Sequence, residues 1–159
     1  MGTVADDALS RVLEPNVCTT TRRCEVLKEF QRAGIPTVVW MTPILPFLTD
    51  TEENVRRILD YCFDAGVKGI VCFGMGLTLR DGNREYYYEA LDRHFPGLSG
   101  EYRRRYGNAY EIPSPNSEAL WRIFHAECEK HGVLHDPDEC FRFIAELPEQ
   151  NEQLSLFDG

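Results

Sequence analysis

The chain has 159 residues, of which 43% are hydrophobic and 27% charged, and a formal net charge of −9. That is the composition of one ordinary globular domain and not of a disordered or fibrous chain, and its length buries roughly 70% of the surface of the unfolded polypeptide. An excess of acid argues against sequence-independent binding to a nucleic-acid backbone, which needs a basic stripe. The triplet Arg103, Arg104 and Arg105 is the local exception, readable as a solvated helix face or as an anion site.

The amino terminus, MGTVADDALSR, has no basic segment leading into an apolar run, and no stretch is long and apolar enough to span a bilayer. A cytoplasmic location is the expectation. The first periodic segment, 21–33, places Val26, Leu27, Phe30 and Ala33 on one helical face and closes at Gly34. A β-rich run ending in Trp40 and Met41 follows, and it stops at the loop TPILPFLTD. A second helix is predicted over 51–65, with Val55, Ile58, Leu59, Cys62 and Phe63 on its inner face. Asp50 and Glu53 form a D-x-x-E cap pair at its start, and Gly66 lies at its end.

The segments AGIPTVVWM and AGVKGIVCF share one grammar of helix, glycine, apolar residue and strand, and KHGVL begins a weaker third copy after a helix carrying Leu120, Trp121, Phe124 and Cys128. Repeated αβ units with strands buried on both faces predict a parallel sheet with crossover helices, and ligands in such folds sit beyond the carboxyl ends of the strands. Thr42, Pro43 and the Pro46 loop should therefore share a mouth with Phe73, Gly74, Met75 and Gly76. The same residues also serve as plain strand terminators, and spacing alone does not decide between the two.

Residues 78–133 leave the repeat and hold most of the tyrosines, with short helices around 84–94 and 100–106. An insertion at this place forms a lid or a substrate wall, and its tyrosines and arginines either stack on a planar ligand or pack as half-buried residues. A further helix starts at SPNSEALW, capped by Ser114 or Asn116, and a last one is predicted over 136–146. Six cysteines lack C-x-x-C spacing and four histidines lack an H-E-x-x-H pattern, so a metal site would need convergence in three dimensions.

The order LEPN, AGIP, TPILPFLTD and YGNAYEIPSPN over most of 5–147 resembles the second half of radical S-adenosylmethionine proteins of the group similar to spore photoproduct lyase. The resemblance implies an α/β fold: a partial (β/α) barrel fragment with parallel strands and outer helices over 1–112, helices over 113–147 and a tail over 148–159. It implies an S-adenosylmethionine pocket in which Met41, Thr42 and Pro43 form a wall and Cys72, Phe73, Gly74, Met75 and Gly76 offer main-chain groups to the adenine. Hydrogen return from Cys72, Tyr86, Tyr87 or Tyr88 is a further implied role, and a flipped, damaged nucleobase the implied substrate.

The C-x-x-x-C-x-x-C loop that holds the 4Fe-4S cluster in that family is absent from this sequence. The expectation is an inactive isolated chain, binding neither cofactor tightly, that associates with an amino-terminal radical S-adenosylmethionine half or with itself to cover an open sheet edge. At the far end, Gln153, Leu154, Ser155, Leu156 and Phe157 resemble a bacterial DNA sliding-clamp binding motif. The alternative function is thus a non-catalytic interaction module with a clamp-binding tail; equally, the tail packs back on the domain.

Overall fold

The computed structural model describes residues 4–146. In chain order the elements are α1 (Asp7–Leu13), α2 (Thr20–Arg32), β1 (Val38–Trp40), α3 (Glu52–Asp64), β2 (Gly69–Val71) and β3 (Gly76–Thr78). They continue as α4 (Asn83–His94), α5 (Leu98–Tyr106), β4 (Glu111–Pro113), α6 (Ser117–His131) and α7 (Pro137–Ala145). The class is mixed α/β, with no closed barrel among the described residues.

The repeat legible in the sequence is a repeat of hydrogen bonds. After α2, α3 and α6 the chain turns through Gly34, Gly66 and Gly132, and the next residue reaches back to the last helical turn. Ile35 N–H donates to Phe30 O at 2.9 Å, Val67 N–H to Cys62 O at 3.3 Å, and Val133 N–H to Cys128 O at 3.0 Å. At Gly34 and Gly66 φ is +71° and +64°, a region in which a side chain is strained. Each turn launches a parallel segment: β1 pairs with β2 with Val39 opposite Ile70, and Leu134 bridges in parallel to Gly69 on the far side of β2.

The two faces of this small sheet differ. Val39, Met41, Ile70 and Cys72 join one core with Val55, Ile58 and Leu59 of α3 and Leu120, Phe124 and Cys128 of α6. α7 lies on the other face, where the Cys140 thiol stands so close to Gly69 that an added Cβ would meet it at 2.8 Å. Beyond the cover of α7, Trp40 and Phe73 are 46% and 61% exposed and form an edge-to-face pair at 5.5 Å, with Phe141 of α7 as the third ring.

Several sequence expectations need correction. α3 is capped by Thr51, whose hydroxyl accepts from Asn54 N–H at 3.2 Å, and not by Asp50. Asp50 is buried, and its carboxyl accepts a hydrogen bond from Ser114 instead. Asn116 is the residue at the start of α6, with no side-chain capping bond; its Nδ2 donates to Asp50 O at 3.0 Å. The apolar stripe of α2 is covered only in part: Cys24 is buried and Leu27 packs on the core, whereas Val26 and Phe30 are each 41% exposed.

The tyrosine-rich insertion forms a second core. Tyr88, Leu91, Tyr102 and Ile112 are buried in it together with Leu79. The Tyr102 hydroxyl donates to Pro46 O at 2.6 Å, which fastens α5 to the TPILP loop. Arg84 is nearly buried, and its guanidinium donates to the carbonyls of Leu79, Gly107 and Ala109 at 2.9, 3.2 and 3.0 Å. A planar fork fits three converging carbonyls, so Arg84 holds the entrance of α4 to the turn before β4.

Candidate functional site

β1 ends at Trp40 and β2 at Val71, and both strands run the same way, so the loops that leave them emerge together. Thr42 and Pro43 come from the first loop, Phe73, Gly74, Met75 and Gly76 from the second, and all six line one cleft of about 680 Å³. The size falls within the ~300–1,000 Å³ common for small-molecule sites. The Thr42–Pro43 peptide bond is cis. Ile44 N–H donates to Gly76 O at 3.0 Å and ties the two loops to each other.

The rest of the lining comes from elements that residue spacing alone does not bring to this mouth. Leu77 and Thr78 belong to β3, Glu111, Ile112 and Pro113 to β4, and Ser117 and Trp121 to the first turns of α6. β3 and β4 form an antiparallel pair in which Leu77 faces Ile112, and Ser114 N–H donates to Met75 O at 2.7 Å. The insertion therefore returns along the cleft before α6 begins. EIPSPN carried the only hint of this, as a proline-punctuated run between a tyrosine and a capped helix.

Glu111 is the one charged side chain in the cleft lining, which holds no lysine, arginine or histidine among the described residues. Phe73 and Trp121 supply aromatic surface, and Thr42, Thr78 and Ser117 supply hydroxyls. Gly74 leaves open space where a side chain would start, whereas a Cβ on Gly76 would meet Ile112 O at 2.3 Å. The first glycine keeps the cleft open, and the second lets β3 approach β4.

Other sequence candidates lie elsewhere. Met41 is fully buried and Cys72 nearly so, both in the helix-covered core and neither in the cleft lining. The Cys72 Sγ–H donates to Gly74 O at 3.7 Å, and burial pushes its thiol up to about 11. Tyr88 is buried, with Arg103 above its ring at 4.6 Å and no hydrogen-bond partner for its hydroxyl among the described residues. Tyr86 is 75% exposed, and Tyr87 shares a 3.1 Å hydrogen bond with Tyr102; both line a different pocket. Gln153, Leu154, Ser155, Leu156 and Phe157 lie outside the described residues.

The volume of the cleft, its two aromatic side chains and its single carboxylate are compatible with a cation that carries a planar ring, as S-adenosylmethionine does. A 4Fe-4S cluster does not fit the cysteines of the described residues. No group of three or more cysteine, histidine or acidic residues converges there. Burial pushes the thiols of Cys62 and Cys128 up to about 12 and raises those of Cys24 and Cys140, the reverse of what thiolate ligation requires. No helix among the described residues is long and apolar enough to cross a membrane.

The sequence is similar to uncharacterized proteins of Mycobacterium tuberculosis (strains ATCC 25618 / H37Rv and CDC 1551 / Oshkosh) and Mycobacterium bovis (strain ATCC BAA-935 / AF2122/97). Identity to each is 32% over 117 residues, which is 74% of this chain and 34% of the relative. The chain spans about a third of the length of the curated relatives it matches. No family model matches the sequence. No solved structure matches it either.

Proposed function

We propose that this chain is the carboxyl-terminal portion of a radical S-adenosylmethionine protein similar to spore photoproduct lyase, supplying residues on the cofactor and substrate sides of the pocket. One observation carries the reading: the TP loop after β1 and the FGMG loop after β2 meet in a single cleft at the carboxyl ends of parallel strands. The arrangement of β1, β2 and Leu134 in sequence order, with α3 and α6 on the same face, supports a (β/α) barrel origin.

In this reading the main chain of Phe73 to Gly76 meets the edge of the adenine, and the rings of Phe73 and Trp121 flank it. The Glu111 carboxylate offsets the positive charge of the ligand, and the apolar floor of Met75 and Ile112 excludes water. Phe73 to Gly76, Trp121 and Glu111 would hold the cofactor, and once reductively cleaved with loss of methionine it would supply hydrogen-abstraction chemistry at this mouth. The cluster has no seat in the described residues, so it belongs to another part of the polypeptide or to a partner half. The aromatic face of Trp40, Phe73 and Phe141 is where such a half, or a second copy, covers the sheet. If the lyase analogy holds, the substrate is a flipped nucleobase presented to the tyrosine-rich insertion.

The test is titration with S-adenosylmethionine followed by the indole fluorescence of Trp121, one of two tryptophans. A weak but saturating change is expected, with a dissociation constant of about 0.1–1 mM, ~4–5.5 kcal/mol of binding. It should be lost in Gly74→Val. No saturable change up to several times that range would remove the reading.

The sequence QLSLF favours a second reading, a module recruited by a sliding clamp. A peptide of residues 149–159 titrated against a clamp, with Leu156→Ala, Phe157→Ala as control, decides it. Equal binding by both peptides contradicts recruitment.

A further inference from the structure

Pro43 has a cavity on each side of it. Besides the cleft, it lines a second pocket of about 260 Å³ between the end of α1, the TPILP loop and α4. The walls are apolar: Leu13, Leu45, Ala90, Leu91 and Phe95, with Tyr86 at the opening. The volume is below that of drug-sized sites and suits a ligand of one or two rings.

The polar groups of this pocket are unevenly committed. Its carboxylate, Glu14, is held by the Arg23 guanidinium at 3.1 Å, and the Tyr87 hydroxyl by Tyr102. Arg93 and His94 also line the pocket, and neither has a carboxylate partner among the described residues. The place of Arg93 in the last turn of α4 suits the helix dipole, which accounts for a cation at that helix end but not for an apolar cup beside it. In a chain of net charge −9, the Arg93 guanidinium, without a carboxylate partner among the described residues and with the His94 ring N–H beside it, gives this apolar cavity a local anion preference.

The geometry points to a second binding site in this pocket, for a small planar aromatic anion whose ring enters between Leu45 and Ala90 and whose charged group meets Arg93 and His94. The site is independent of the cofactor reading, because it shares only the Pro43 wall with the cleft and its ligand carries the opposite charge.

The test titrates the intact protein with three probes of one ring system: 2-naphthalenesulfonate, 2-naphthol and 2-naphthylmethylammonium. The sulfonate is expected to bind about tenfold more tightly than the naphthol, as one charge-assisted hydrogen bond provides, and the ammonium most weakly. Arg93→Gln should bring the sulfonate to the level of the naphthol, and Ala90→Trp, which fills the cup, should abolish binding of both. Contacts between probe protons and the Ala90 and Leu45 methyls in nuclear Overhauser spectra of the unaltered protein locate the site without any substitution. Equal affinity for the three probes, sulfonate binding unchanged in Arg93→Gln, or probe contacts confined to other residues overturns the proposal.

Discussion

The Ser114 hydroxyl donates a 2.6 Å hydrogen bond to a carboxyl oxygen of Asp50, 64 positions earlier, and both residues are buried. The backbone carbonyl of Asp50 accepts from Asn116, so one residue before α3 fastens the start of α6. Ser114→Ala leaves a buried carboxyl oxygen without its donor and should cost about 1.5–3 kcal/mol. Denaturant unfolding measures it; a loss below about 0.5 kcal/mol, the range of an ordinary surface change, would show that the bond is not structural.

Arg84 should be more sensitive still. Arg84→Met deprives three carbonyls of their donor and should destabilise by about 3 kcal/mol or more, and Arg84→Lys should recover little of it, because an ammonium lacks the planar fork. Full recovery by lysine in thermal melts would mean that charge, and not geometry, is what the turn before β4 needs.

The two glycines of the FGMG loop should separate stability from binding. Gly76→Ala drives a methyl into Ile112 O and Pro113 Cα, and the strain of parting β3 from β4 should cost about 1–3 kcal/mol. Gly74→Ala meets open space, so its melting temperature should stay close to that of the unaltered protein while ligand affinity falls. The reverse pattern would place the cleft elsewhere.

Thiol chemistry follows burial. Cys18 is exposed and the other five cysteines are buried, so a disulfide reagent should titrate one thiol quickly and five only on unfolding. Fast modification of two or more in the native protein contradicts this packing.

The same burial sets the alkaline limit of stability. Desolvation pushes Cys62 from 9.0 to about 12, Cys72 from 9.0 to about 11 and Tyr87 from 10.0 to about 12. Each of these folded values is raised, so the stability they contribute is whole below about pH 9 and is lost as pH climbs through 11 to 12. Tyr87→Phe should flatten the upper part of that decline. A melting temperature that falls equally steeply in Tyr87→Phe would assign the decline to other groups.

The αβ repeat was legible because a helix that ends on a left-handed glycine before a β-rich run leaves a local trace, as at Gly34, Gly66 and Gly132. The cap of α3 was misread for a reason that is not local: Asp50 and Thr51 are both good capping residues, and the choice is made by Ser114, far along the chain. β3 and β4 are three residues each, too short for alternation to show, so nothing local marks Gly76 as strand or Glu111 as cleft lining. Trp121 does both jobs: at the helical spacing of Phe124 and Cys128 it packs against the core, and because the first turns of α6 pass the cleft it also lines it, which spacing alone does not reveal. Val26 and Phe30 show the opposite failure, part of an amphipathic face that stays 41% exposed at both residues.

The most direct measurement is a map of amide shifts during titration with S-adenosylmethionine. Saturating shifts at Thr42, Phe73, Gly74, Thr78 and Trp121, with Tyr86 and Ala90 unmoved, are the expected result. Shifts absent from the Thr42 and Phe73–Gly76 loops at saturating ligand, or confined to the Tyr86 pocket, would contradict a cofactor cleft at the carboxyl ends of β1 and β2.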